Sequence, residues 1–180
     1  MVAPDSTPSF RVGHGFDVHR YSDDPDRQLV LGGVVIEAAP GLEGHSDSDV
    51  LSHAMSDALL GAAALGDLGG HFPDTDPSWA GVRSLELLER VLSMLEEQQM
   101  DVMNADCTII CERPSLSEDI PRIARQLTSL VGAPVSVKAK RAEGLGALGR
   151  VEGIACLCVV LVTARGTARD TRLETRSAPS

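Results

Sequence analysis

Asp17 and His19 stand two residues apart in the run FRVGHGFDVH. On an extended strand that spacing sends both side chains out of the same face, within reach of one ion. A third nitrogen is available from His53, which lies in a stretch of helical periodicity. One carboxylate and two imidazoles suit zinc with a fourth position open to a substrate oxygen, and the same set also suits non-haem iron. Without an ion, the two histidines are simply hydrogen-bonded residues near the surface. Their company argues for the ion: His45, Ser46, Asp47 and Asp49 precede the helix that bears His53, and Asp57 lies one turn beyond it. Carboxylates so placed can orient metal-bound imidazoles, and backbone N–H groups at a helix start can hold a phosphate. N-capping is the plainer role for the same acids.

Two further segments carry chemistry if the fold brings them to the ion. LGDLGGHFPDTDP, Leu65 to Pro77, is too dense in Gly, Pro and Asp to be anything but loop, and only a place beside the metal makes Asp67 or Asp74 functional. KAKRAEGLGALGRVEG, Lys138 to Gly153, concentrates Lys138, Lys140, Arg141 and Arg150 in an otherwise acidic chain. Basic side chains and glycine amides can cradle a polyphosphate, with Glu143 holding a divalent cation that bridges its oxygens. A solvated basic turn is the alternative.

The elements that must position these residues are legible as periodicities. From Phe10 to His19, Phe10, Val12, Phe16 and Val18 share one face and Gly13, Asp17 and His19 the other, which predicts a strand whose second face is functional. LVLGGVVI, Leu29 to Ile36, predicts a hairpin turning at Gly32 and Gly33. The helix of His53 has an apolar stripe of Val50, Leu51, Ala54, Met55, Ala58, Leu59 and Ala62, with Ser46, Asp47 or Asp49 available as its cap. A second helix is predicted behind Ser84 on Leu85, Leu88, Leu92 and Leu95, and a third on Ile120, Ile123, Leu127 and Leu130 between Ser117 and Gly132. Val102 to Cys111, Val135 to Lys140 and Ile154 to Thr163 complete the strands, the last apolar enough to be buried on both faces. This pattern predicts an α+β fold, a mixed four-stranded sheet with helices mainly on one face plus a short hairpin.

With 180 residues, 43% of them hydrophobic, one domain is expected, over residues 10–164, with flexible tails at 1–9 and 165–180. A net charge of −10 disfavours nucleic acid and anionic membranes as partners. The first nine residues hold neither a basic cluster nor an apolar stretch, so a cytoplasmic protein is expected. Cys107, Cys111, Cys156 and Cys158 form no CxxC and read as buried, reduced thiols. Only 5 aromatic residues leave an aliphatic core, one that burial of a second surface in an oligomer would extend.

In this order, GHGFDVH at Gly13 to His19, GHSDSDVLSHAMSDALLGAAALGDLG at Gly44 to Gly69, FPDTDP at Phe72 to Pro77 and GRVEGIA at Gly149 to Ala155 closely resemble the signature of the 2-C-methyl-D-erythritol 2,4-cyclodiphosphate synthases of the non-mevalonate isoprenoid pathway. The resemblance runs from about Arg11 to Thr163. It implies a homotrimer with active sites between subunits, each holding zinc through Asp17, His19 and His53, with Val18 against the substrate between the first two. By the same resemblance His45 and Ser46 hold the phosphate end, and Asp67, Leu68 and Gly69 meet the ribose side. Phe72, Pro73, Asp74, Thr75 and Asp76 would line the methylerythritol region. Cys111, Glu112, Arg113, Pro114, Ser115, Leu116 and Ser117 of a neighbouring subunit would surround the cytosine.

The reaction implied is attack of the 2-phosphate of 4-diphosphocytidyl-2-C-methyl-D-erythritol 2-phosphate on the β-phosphorus, closing a ring and expelling CMP. No protein nucleophile is required. Zinc at the triad and magnesium or manganese at Glu143 would neutralise the phosphates. The chain departs from the family pattern at Lys140, Arg141 and Ala142, which replace threonines; Arg141 is expected to take over the contact to the diphosphate, and with His45 to act in catalysis. Ser115 replaces a common lysine in the cytosine loop. Ala147 replaces an aromatic in the cavity on the trimer axis, where Arg150 is assigned. The bifunctional form of the family carries a cytidylyltransferase domain for which 180 residues leave no room, so the single-function form is expected. A metal-stabilised module that binds cytidine nucleotides without turnover is the non-catalytic rival.

Overall fold

The computed structural model describes residues 10–79 and 81–165. The expected flexible tails lie outside the described residues except for Arg165, which pairs with Asp101 at 2.6 Å and Glu96 at 3.5 Å.

The chain runs β1 (Phe10–Arg20), β2 (Gln28–Leu31), β3 (Val34–Pro40), α1 (Val50–Ala63), the single turn α2 (Leu68–His71), α3 (Ser84–Glu97), β4 (Met100–Ile110), α4 (Ile120–Val131), β5 (Val135–Lys140), the short α5 (Gly146–Gly149) and β6 (Gly153–Ala164). The main sheet has the order β1-β6-β4-β5, antiparallel except for the β4–β5 pair. That parallel pair is bridged by α4, as parallel neighbours require a crossover. The mixed four-stranded sheet and the separate β2–β3 hairpin are those expected from sequence. The hairpin turns where Gly32 and Gly33 take φ of 58° and 73°, values a two-residue turn of this hand requires and a side chain resists.

Asp49 settles the choice of cap for α1. Its Oδ1 accepts from the N–H groups of Leu51 and Ser52, and its Oδ2 accepts from Gly33 N–H at 2.8 Å. One buried carboxylate thereby ties the hairpin turn to the helix start. α1 is the central helix, with Leu51, Met55, Leu59 and Leu60 fully buried. α3 and α4 complete a layer on one face of the sheet, over Ile154, Cys156, Cys158, Val160 and Val162 of β6 and Cys107 and Ile109 of β4, all at 0% exposure.

The other face of the sheet is open, which corrects the expectation that Ile154 to Thr163 is buried on both sides. Leu157 and Leu161 are half-buried and Val159 is 44% exposed, because every helical layer lies opposite. β1 shares this asymmetry. Phe10, Val12, Phe16 and Val18 point to the open face at 51–67% exposure, while the face carrying Gly13, Asp17 and His19 turns toward α1. Glycine makes that approach possible: a Cβ on Gly13 would lie 1.8 Å from Ala58 O, and one on Gly15 1.9 Å from Ala54 O. The strand therefore lies directly on the helix backbone, which brings Asp17 and His19 to His53.

The four cysteines are free and buried, and Cys107 and Cys158, opposed on β4 and β6, have sulfurs 3.3 Å apart. Among the described residues, no helix is long and apolar enough to cross a membrane.

Candidate metal centre

Asp17 and His19 leave β1 on one face and meet His53 from the first turn of α1. His19 Nε2 and His53 Nδ1 each lie 3.0 Å from Asp17 Oδ2, and one ligand atom from each residue falls within 4.8 Å of the others. The far nitrogens are committed elsewhere. His19 Nδ1 donates to the Glu43 carbonyl at 2.7 Å, and His53 Nε2 lies 2.8 Å from Ser84 Oγ. Ser84 Oγ gives its own proton to Asp47 Oδ1, a carboxylate oxygen that can only accept, so it must accept from His53. Each ring in its neutral form thus turns a lone pair toward Asp17. Three acceptors converge with no proton among them, an arrangement that a cation completes and that fits zinc's preference for nitrogen and carboxylate donors.

Without an ion, a proton on a ring lets it donate to Asp17 instead: burial pushes the Asp17 carboxyl up, but hydrogen bonds from the protonated His19 and His53 outweigh it and hold the group well below the usual carboxylate range. The hydrogen bond to Asp17 raises His19, against the opposing effect of burial.

Beside the triad lies a cavity of about 220 Å³ lined by His45, Ser46, Leu68, Gly69, Phe72, Asp74 and Trp79 among others. His45 stands exposed on its rim, with Nε2 4.0 Å from Asp74 Oδ2. Ser46 Oγ accepts from Ser48 N–H at 3.0 Å and sits 3.2 Å from Ser84 Oγ. Arg27 holds this loop from below, donating to the Ser46 carbonyl and to Ser48 Oγ. Phe72 packs edge-on against Trp79 with ring centroids 5.0 Å apart, and the Arg90 guanidinium covers the indole at 5.1 Å. Asp67 caps α2 through Gly70 N–H, and Asp76 caps the turn at Ser78. Pro73 is half-buried and Thr75 exposed along the same loop.

Asp57 does not orient an imidazole. Its Oδ1 accepts from Leu68 N–H at 2.8 Å and so ties α1 to α2, and burial raises its carboxyl. Of the acids flanking His53, only Asp47 reaches the ring, and it does so through Ser84. The sequence reading missed Ser84 in this role, taking it for the start of a helix. It does begin α3, as expected, and it is also fully buried. No spacing rule links residues 31 positions apart.

The Cys111–Ser117 loop and the end of β5 lie toward the opposite edge of the sheet, whereas α5 with Ala147 and Arg150 sits at the start of β6, beside the end of β1. A cavity of about 580 Å³ is lined by Cys111, Glu112, Arg113, Pro114, Ser115, Leu116 and Ser117, with Lys140 and Arg141 across from them. Tyr21 steadies this loop by donating to the Arg113 carbonyl. The basic segment offers fewer free cations than its composition suggests. Lys138 is paired with Asp106, Arg141 with Glu112, and Arg150 with Glu152. Lys140 has no ion-pair partner among the described residues. Ala142 is half-buried, while Glu143, at φ 53°, and Ala147 are exposed. The register Val18↔Ala155, Ala155↔Ile110, Ile110↔Lys140 sets Lys140 level with Asp17 and His19 but three strand spacings away, about 14 Å. One chain therefore does not bring Arg141 or Glu143 to the triad.

Residues 10–163 match the model of the YgbB family. The chain is 49% identical over 157 residues to the 2-C-methyl-D-erythritol 2,4-cyclodiphosphate synthase of Symbiobacterium thermophilum, a match covering 86% of this chain and 99% of that one. Among solved structures it resembles the bifunctional IspDF of Campylobacter jejuni with a TM-score of 0.85 and 35% identity, over 91% of this chain and 44% of that one, so it spans less than half of the bifunctional protein. It also resembles a 2C-methyl-D-erythritol-2,4-cyclodiphosphate synthase in a CDP-bound form, with a TM-score of 0.77 and 35% identity, over 84% of this chain and 99% of that one.

Proposed function

The chain belongs to the YgbB family, and on that premise we propose that it converts 4-diphosphocytidyl-2-C-methyl-D-erythritol 2-phosphate into 2-C-methyl-D-erythritol 2,4-cyclodiphosphate and CMP. It is a phosphorus–oxygen lyase of isoprenoid precursor synthesis. An oxygen of the 2-phosphate forms a bond to the β-phosphorus, the bond from that phosphorus to the bridging oxygen breaks, and CMP leaves with the electron pair. The observation that carries the reading is the convergence of Asp17, His19 and His53 at the mouth of the cavity that holds His45 and Ser46.

A zinc ion held by those three residues would supply a Lewis acid for the β-phosphate. The chain's own work is positioning. Ser46 and the exposed His45 bind the 2-phosphate end, and Phe72 and Trp79 wall the methylerythritol carbons. Arg141 acts on the diphosphate, and Glu143 would hold a magnesium or manganese ion that would neutralise its charge, since such ions are bound through one or two carboxylates and substrate phosphates. Arg141 rests on Glu112 in the isolated chain, and its 64% exposed side chain can exchange that carboxylate for the diphosphate.

The two half-sites on opposite edges of one sheet support an assembly in which the Cys111–Ser117 loop of one subunit faces the triad of the next. The open apolar face of β1 and Val159 of β6 supply the surface such an assembly would bury. A homotrimer with interfacial sites fits both observations. Buried thiols that need no oxidising compartment fit a cytoplasmic enzyme.

The test is CMP release from the diphosphocytidyl substrate with zinc and magnesium, repeated after chelation and with His53→Ala. Stoichiometric CMP and cyclic diphosphate, lost on chelation and in the variant, is the expected result. CDP binding without CMP would instead make the protein a nucleotide-binding module.

A further inference from the structure

We infer that Ser84, backed by Asp47, is a positioning residue that sets both the metal ligand His53 and the phosphate-side Ser46, an inference that rests on the metal-centre reading above. Ser84 is at 0% exposure and its hydroxyl has three neighbours: Asp47 Oδ1, His53 Nε2 at 2.8 Å and Ser46 Oγ at 3.2 Å. A hydroxyl owns one proton and two lone pairs. The proton goes to Asp47, which also accepts the backbone N–H of Ser84 at 3.0 Å. Both lone pairs then accept, one from His53 Nε2–H and one from the Ser46 hydroxyl. Every hydrogen-bonding position of this buried group is filled, and only one arrangement fills them all.

Two consequences follow. The imidazole of His53 turns about a broad, nearly two-fold torsion, and acceptance by Ser84 selects the orientation and tautomer that leave Nδ1 bare toward Asp17. The Ser46 hydroxyl is aimed by the same atom, so the group that meets phosphate and the group that meets metal share one anchor. That anchor is the first residue of α3, so the docking of α3 on α1 defines the site. The sequence of partners excludes a nucleophilic role: the carboxylate accepts from the serine rather than from the histidine, and the serine is closed to substrate.

The test uses the full chain as wild type, Ser84→Ala, Asp47→Asn and Ser56→Ala. Ser56 is an equally buried serine on α1 whose hydroxyl bonds only the Ser52 carbonyl. Each protein is stripped of metal, checked for folding by circular dichroism, and titrated with zinc against a chromophoric chelator. Cobalt absorption spectra and histidine ¹H–¹⁵N NMR of the metal-free forms complete the comparison. Ser84→Ala is expected to weaken zinc binding about ten- to a hundredfold, as loss of a group orienting a metal-bound histidine does. The cobalt bands should change and the single His53 Nε2–H tautomer become a mixture. Asp47→Asn should move the same readouts less, and Ser56→Ala should move none. Wild-type affinity and tautomer in Ser84→Ala, or an equal loss in Ser56→Ala, would overturn the role of Ser84. A wild-type chain that binds no metal would instead overturn the metal centre itself.

Discussion

Replacing Gly15 by alanine tests the contact on which the metal centre depends. The new Cβ would fall 1.9 Å from Ala54 O, 2.7 Å from Ala58 N and 2.9 Å from Ala54 C, all backbone atoms that cannot turn aside. Separations below 3.0 Å are not tolerated, so β1 must withdraw from α1 by about 1 Å. Overpacking of this kind costs about 1–3 kcal/mol where side chains can adjust. Here a strand must move, so about 3 kcal/mol is the expected cost, a fall in Tm of roughly 6–12 °C for a chain of this size. Asp17 and His19 lie two and four residues further along the same strand, and a misplacement of about 1 Å in a reacting constellation lowers activity about a hundredfold. Gly61→Ala is the matched control, since a Cβ there meets nothing within 4 Å and the residue lies inside α1, where alanine is favoured by about 0.5–1 kcal/mol. Thermal unfolding with zinc titration should therefore show opposite signs for the two variants. Gly15→Ala with wild-type Tm and zinc affinity would refute the idea that the strand rests on the helix backbone.

Three further outcomes are expected. In the metal-free protein the depressed Asp17 carboxyl contributes stability present above its ordinary 3.8 and lost as pH falls further, while the raised His19 contributes stability present below its ordinary 6.5 and lost as pH rises through its folded value. Zinc reverses the upper limb, because protons compete with the ion for both imidazoles, so the Tm gap between zinc-loaded and chelated protein should widen from about pH 6 to 8; a narrowing gap would count against the triad. Arg141→Ala should lower kcat/KM about ten- to a hundredfold through loss of a charged hydrogen bond to the diphosphate, and unchanged turnover would remove Arg141 from the mechanism. Phe16→Asp, on a side chain 51% exposed in the single chain, should leave zinc binding intact while reducing the sedimenting mass and abolishing CMP release; an unaltered mass would exclude this face from the assembly.

The elements were legible in the sequence because each follows from neighbours along the chain. Period-two alternation marked β1, the Gly32-Gly33 pair marked the hairpin, and the stripe from Val50 to Ala62 marked α1. The candidate metal site was legible for the same reason, since Asp17 and His19 are forced onto one face by their spacing. Their meeting with His53 was read from company and from a family resemblance, whose long motifs also supplied the reaction. What the sequence left open was partnership at a distance. An alternating strand has two faces, and periodicity does not say which one another element approaches. Gly13 and Gly15 decided that on steric grounds, turning the apolar face of β1 outward. Asp57 went to the α2 backbone rather than to an imidazole, and Ser84 went to His53, because packing places those acceptors 2.8 Å from their donors. The basic run that looked free in sequence is largely paired with Asp106, Glu112 and Glu152. The sheet order set Lys138 and Lys140 apart from Asp17 and His19. Local sequence thus determined which residues share a face, and tertiary packing alone decided what each face meets, because a hydrogen bond or a close approach joins atoms by distance in space and not by position in the chain.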